Sequence, residues 1–287
     1  VVTLRATVNP GYRVEWTGTD DDSSTALTNT VTMDSDKVVT VKFVKGTGKT
    51  VTVPGNYPTI QQAMNNAKNG DTIVVEPGTY FGSYSGISLT VDKSVTITSR
   101  NPDDPCCVAA TIIDGYLGTG NPSNIGVYFM ANTDSKTVLN GFTIQNCAGG
   151  WADGADGDRN QGKPNGGDGA PGQGAAIVIE AGAGPIIKNC IMRNNLVDAG
   201  DGGDGDDADA TGNAGRGGWG GWAQGGAGWC GPGSTPRFIN CVFENNVAHG
   251  GDGGNGGNAA AGGSSNYGGN WSRSQATYID PNSTNTR

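Results

Sequence analysis

The 287-residue chain carries 18 Lys plus Arg against 27 Asp plus Glu, a formal charge of −9, and 34% of it is apolar. This balance argues against nucleic acid or an anionic membrane surface as a partner. No apolar run reaches the roughly 18 residues that a membrane-spanning helix needs, and the single histidine, His249, excludes chemistry that requires two imidazoles.

Glycine is the outlier: 14 of its 51 copies fall in residues 1–148 and 37 in residues 149–287. The front half can fold as an ordinary globular protein. The back half cannot build a conventional core, because glycine has no side chain to bury. The sequence begins at Val1 without a basic-then-apolar leader, as expected of a processed form or of a segment of something longer.

From the start, short alternating runs predict strands: Val1 to Val8, Tyr12 to Trp16, Thr30 to Met33 and Val38 to Phe43, with turns at Asn9-Pro-Gly11 and Asp34-Ser-Asp-Lys37. The runs Leu4 to Gly18 and Val31 to Phe43 resemble part of the small β modules of bacterial surface proteins related to the internalin B-repeat. The resemblance implies a module whose opening strand is missing, with a sheet edge open to a preceding segment or a neighbouring chain.

After the linker Lys45 to Lys49, a helix is expected from Thr59, its N-cap, to about Lys68. Ile60, Ala63, Met64 and Ala67 form its apolar face, and Gly70 ends it. Short strands follow at Asp71 to Tyr80, Ile87 to Val91, Val95 to Thr98, Thr111 to Ile113 and Gly126 to Phe129, with no long helical pattern after residue 70. The segments Tyr57 to Met64, Gly70 to Tyr80 and Gly141-Phe-Thr-Ile-Gln-Asn146 resemble the entry cap and coils of pectin-lyase-like proteins. The resemblance spans roughly residues 50–287. It implies an all-β fold: a right-handed parallel β-helix, or solenoid, with a short capping helix at its N-terminal end.

An internal repeat points the same way independently. Leu139 to Asn146, Ile187 to Asn194 and Phe238 to Asn245 align at offsets of 48 and 51. The columns Leu139/Ile187/Phe238, Phe142/Cys190/Cys241 and Ile144/Met192/Phe243 are apolar and expected to point inward. Thr143/Ile191/Val242 and Gln145/Arg193/Glu244 are expected outward. Asn146, Asn194 and Asn245 form a turn column, since asparagine tolerates left-handed dihedrals and its amide can bond its counterparts in adjacent coils. Each coil of a solenoid buries itself only against its neighbours, so such columns are what it needs.

The repeat interval exceeds one coil, and the surplus is glycine-rich: insertions at about 149–173, 198–233 and 249–271, entering just after each asparagine turn. Glycine recurs there at period three. Composition alone reads as flexible linker. Insertions leaving successive coils at one corner, with one bare face each, read instead as laterally packed polyproline-II-like strands, and that is the expectation adopted. The domain organisation expected is thus a partial β module over 1–45 and a parallel β-helix with three insertions over 46–287.

Several side chains are candidate sites. Asp201, Asp204, Asp206, Asp207 and Asp209 sit closely on a pliable segment and could coordinate calcium, or could simply keep a glycine surface soluble. No other cofactor is called for. Trp151, Trp219, Trp222 and Trp229 lie in or beside the glycine tracts, where packing or subunit assembly competes with stacking on sugar rings. Cys190 and Cys241 are expected as stacked buried thiols, with a disulfide second; Cys106, Cys107, Cys147 and Cys230 make no CxxC pair. Arg193 and Glu244 read as a surface pair rather than part of an active site.

With no catalytic constellation, the leading expectation is a non-enzymatic extracellular or cell-surface structural protein, a self-associating segment of a fibre, matrix or adhesin. The alternatives are a polysaccharide lyase or hydrolase of the pectin-lyase-like fold, and a calcium-dependent adhesin module that binds cell-surface glycans.

Overall fold

β-Branched runs broken by Gly, Asn and Pro favour short pleated segments over helix, and the computed structural model is an all-β protein with two short α-helices among the described residues. It describes residues 1–7, 12–24, 28–45, 48–82, 86–115, 125–150, 152–208, 213–258 and 274–275. At the N-terminus Val2–Arg5 pairs antiparallel with Thr28–Val31, and Tyr12–Thr17 with Thr40–Lys45. Val14, Trp16 and Ala6 make a core of their own there.

The strand Thr50–Val53 opens the larger unit. Helix α1, Ile60–Asn66, follows, capped by Thr59, whose Oγ1 accepts from the Gln62 amide at 3.1 Å. Ile60, Ala63 and Met64 face the core. Buried Asp71 ties the helix exit to the first strand, accepting from the Lys49 amide at 2.6 Å and the Lys68 amide at 2.7 Å.

From here each circuit of the chain adds one strand to each of three parallel sheets. The first takes Thr50–Val53, Thr72–Val75, Thr96–Ser99, Val138–Asn140, Ile186–Lys188 and Arg237–Ile239, in that spatial order. The second takes Gly78–Phe81, Thr111–Asp114, Thr143–Gln145, Ile191–Arg193 and Val242–Glu244; the third takes Ile87–Val91, Ile125–Phe129, Ile177–Ile179 and Gly228–Cys230. Ile144 pairs with Met192 and Met192 with Phe243, as the 48- and 51-residue offsets require. Leu139, Ile187, Phe142, Cys190, Ile144 and Met192 are all fully buried in one continuous core. None of the six cysteines is in a disulfide, and burial pushes the Cys190 thiol well above its ordinary pKa.

Three expectations need correction. Thr143 does not face solvent. Helix α2, Pro105–Ala110, capped by Asp104, lies over it, and the Thr143 hydroxyl donates to the Val108 carbonyl at 3.0 Å. Phe243 is 44% exposed, unlike Ile144 and Met192 beneath it, because its strand is the outermost of its sheet among the described residues.

The third concerns the turn asparagines. Asn146, Asn194 and Asn245 do adopt φ of 53°, 54° and 51°. The amides that stack, however, belong to the next residue. Asn195, 1% exposed, accepts from the Cys147 amide at 3.0 Å and donates to the Ile144 carbonyl at 3.2 Å and to Asn246 Oδ1 at 2.8 Å. Asn246 repeats the pattern one circuit on, donating to the Met192 carbonyl at 2.9 Å. The reason is local: the left-handed residue makes the corner, and the one after it re-enters the interior, where water cannot satisfy the backbone groups freed by the turn. Asn195→Ala is expected to destabilise by about 1–3 kcal/mol by stranding a buried amide and a buried carbonyl, read as a shift in the urea midpoint at unchanged slope.

Candidate functional site

The glycine-rich insertions leave the larger unit through three short strands, Ala148–Gly150, Leu196–Asp198 and Val247–His249, paired parallel and in register. They start at the same corner for that reason. The first insertion runs out over 152–157, turns at Asp158–Lys163 and returns over 164–172. The second runs out over 199–208 and returns over 213–222, and the third runs out over 250–258. Up to Gly172, where the first insertion re-enters a ladder with Ala223, none of these limbs is helix or ladder strand, yet they are joined by backbone hydrogen bonds at every third residue.

Within the limb 199–208 the accounting is complete for two successive triplets. The amide of Gly200 donates to the Ala170 carbonyl at 3.0 Å, in the returning limb of the first insertion. The amide of Asp201 donates to Asp153 Oδ1 at 2.9 Å, in the outgoing limb of the first insertion. The amide of Gly202 donates to the Asp252 carbonyl at 2.8 Å, in the third. Gly203, Asp204 and Gly205 repeat the set with Gly167, Asp156 and Asn255. Limb 213–222 joins from the other side: Gly215, Gly218 and Gly221 donate to Asp206, Gly203 and Gly200 at 2.8 Å each.

Two of the glycines show why the residue is needed. A Cβ at Gly203 would collide with the Ala155 carbonyl, and one at Gly218 with the Gly167 carbonyl. Both obstacles are backbone, which cannot rotate away. The interior of this slab is therefore peptide against peptide, held by hydrogen bonds rather than by buried side chains.

The aspartates have a use here that the sequence did not suggest. Asp153, Asp156, Asp201, Asp204 and Asp207 each hold the backbone amide of the residue above, at 2.7–2.9 Å, and Asp168 does the same for Trp219. The signal was present as a repeated Asp-Gly every third residue. Against the calcium expectation, Asp201, Asp204 and Asp207 are spaced along an extended limb rather than converging, and Asp206 occupies a different place in its triplet. Among the described residues no group of three or more His, Cys, Asp or Glu is placed to hold a metal ion. Asp209 lies outside the described residues, as does Trp151.

Trp219 and Trp222 are each 39% exposed on the returning limb, while Trp229 is half-buried in the third sheet, in register with Val178. The outward column also departs from expectation. Arg193 turns its guanidinium to Gln145 Oε1 at 2.8–2.9 Å rather than to Glu244, and Gln145 donates onward to Asp114 at 2.8 Å. Glu180 accepts from the Tyr128 hydroxyl and the Ala131 amide, both at 2.6 Å, a clamp between circuits. Burial, then the hydrogen bond and charge of Glu180, push the Tyr128 pKa up to about 12.

His249 lies at the mouth of the third insertion, with Nδ1 2.8 Å from Asp198 Oδ1. The hydrogen bond and then the charge of Asp198, with Asp252 and Asp201 further off, raise its pKa. A raised folded-state value stabilises the fold below the unfolded imidazole pKa of about 6.5 and the benefit disappears as pH rises through the folded value. Both side chains are more than half exposed, so the effect is small and salt-screened. The urea midpoint of the Asp198→Asn variant is expected to trail the parent slightly at pH 5.5 and to match it at pH 8.5.

Residues 1–47 match the family model of the divergent InlB B-repeat domain. No curated protein and no solved structure matches the chain. Among the described residues, no helix is long and apolar enough to cross a membrane.

Proposed function

We propose that residues 46–287 form a right-handed parallel β-helix carrying polyproline-II-like glycine limbs. On this reading the chain, behind its B-repeat-like module, is a non-enzymatic segment of an extracellular or surface fibre, matrix or adhesin that associates with copies of itself. The observation that carries the reading is the outermost circuit among the described residues. Phe243, Val242, Ile239 and Val247 are 39–50% exposed there, whereas Ile144 and Met192, the core counterparts of Phe243, are fully buried. A stack built this way buries apolar columns only by adding another layer, and an open parallel edge with apolar neighbours pairs readily.

The engagement of the slab carboxylates with backbone amides supports a structural role over acid–base work. So does the B-repeat-like module, a type of domain that the sequence resemblance ties to bacterial surface proteins. Sedimentation velocity over a hundred-fold concentration range tests the reading. Concentration-dependent association, abolished by Phe243→Ser, is expected. A monomer throughout, or turnover of any polysaccharide by the purified chain, removes the reading.

A further inference from the structure

On the returning limb 213–222 the residues turned to solvent are Asn213, Arg216, Trp219 and Trp222, three apart, and the glycines between them are buried or half-buried. The carbonyls of Arg216, Trp219 and Trp222 accept from Gly166, Gly169 and Gly172 at 2.9, 2.8 and 2.9 Å. The amides of Arg216 and Trp219 are held by the side chains of Asn165 and Asp168 at 3.0 and 2.9 Å. Backbone bonding that repeats at three-residue steps sends these three side chains off the same side of the limb. Asn165, Asp168 and Pro171 form the exposed row beside them.

Two part-exposed indoles three residues apart thus stand on a surface whose backbone is bonded on several sides. The course of the limb is set by its backbone bonds, and each indole, covered over the rest of its surface, leaves 39% of it open. With the limbs taken as three-residue screws, which rests on the reading above, the indoles stand about 9 Å apart on a straight line. A ligand meeting them loses little freedom in the protein, since the platform is already set.

We propose that Arg216, Trp219 and Trp222 form a platform for a linear, uncharged polysaccharide. The chemistry selects that class. Pyranose rings present flat C–H faces that stack on indoles, and a linear polymer returns the same face at a regular interval. Hydroxyls around each ring meet donors and acceptors from Arg216, Asn165 and Asp168. Charge removes the competitors: Asp153, Asp156, Asp168, Asp201, Asp204 and Asp252 are all exposed on the slab, and the chain carries −9. Anionic polymers are repelled.

Affinity electrophoresis of the whole chain in native gels tests this, with hydroxyethylcellulose, glucomannan or pullulan as uncharged polymers and polygalacturonate or alginate as charged ones. Retardation by at least one uncharged polymer and by neither charged one is expected. Trp219→Ala and Trp222→Ala are each expected to weaken it on the order of ten-fold, and Trp219→Tyr to retain part of it. Unchanged circular dichroism certifies that the variants fold. Retardation by no uncharged polymer, retardation by charged polymers alone, or alanine variants that bind like the parent would each overturn the platform. Phe243→Ser, which removes self-association, leaves the retardation unchanged if the two surfaces are separate. Hydrogen exchange at Gly203 and Gly218 reads the limb packing independently of either.

Discussion

Phe142→Ala is expected to lower the free energy of unfolding by about 3–5 kcal/mol, the largest effect of any single truncation proposed for this chain. Phe142 is fully buried, one of the largest side chains in the continuous core. It sits at the corner between the first and second sheets, in the column above which Cys190 and Cys241 lie. The cavity left by its ring cannot close easily. The backbone on either side is pinned to the next circuit, with the Ile191 amide donating to the Phe142 carbonyl at 2.8 Å, and the layers cannot approach without breaking such bonds. The same truncation at Phe243, already 44% exposed, is expected to cost about 1 kcal/mol. Equilibrium urea unfolding followed by circular dichroism compares the two. Equal costs would mean that Phe142 is not in a layer closed on both sides.

Gly218→Ala is the second large effect, and it differs in kind. Gly218 donates to Gly203 at 2.8 Å and accepts from Gly254 at 2.9 Å, so it links the second and third insertions through the middle of the slab. An added methyl meets the Gly167 carbonyl, which belongs to the first insertion. One methyl thus forces apart limbs of all three. Overpacking of this sort costs about 1–3 kcal/mol, and here the cost falls on the slab. The expected result is local: amide exchange at Gly203, Gly218 and Gly254 accelerates by one to two orders of magnitude, while exchange in the three parallel sheets stays near parent rates. Acceleration throughout the molecule would show that slab and sheets unfold as one unit; no change would show that the limbs are not packed as described.

The two predictions separate two sorts of cohesion in one chain. Around Phe142 the layers are held by apolar burial, and the backbone bonds serve mainly to leave nothing polar unpaired. Around Gly218 there are almost no apolar side chains to bury. Each limb gives up its side chains so that its peptide groups can reach neighbours in several directions. Asp153, Asp156 and Asp168 complete that arrangement by accepting the one amide in each triplet that no carbonyl reaches. Their replacement by alanine would leave exposed amides free to bond water, a smaller loss than a methyl in the interior.

Much of this was legible in order along the chain. The 48- and 51-residue offsets placed Ile144, Met192 and Phe243 in one column, because a column is a periodicity and periodicity is written in the sequence. Left-handed Asn146, Asn194 and Asn245 followed from what an amide side chain tolerates at a corner, and Thr59 from what a helix N-terminus requires. What the tertiary structure decided was partnership across the folded chain. Asn195 rather than Asn194 carries the stacked amide because only the folded corner shows which residue re-enters the interior. Thr143 is covered because six residues around Cys107 form a helix over it. Asp201 meets an amide 51 residues away instead of a neighbouring carboxylate. Repetition, turn residues and side-chain size are local and survive in a linear reading; hydrogen-bond partners between limbs depend on how separate insertions interleave, and no short stretch of sequence contains that information.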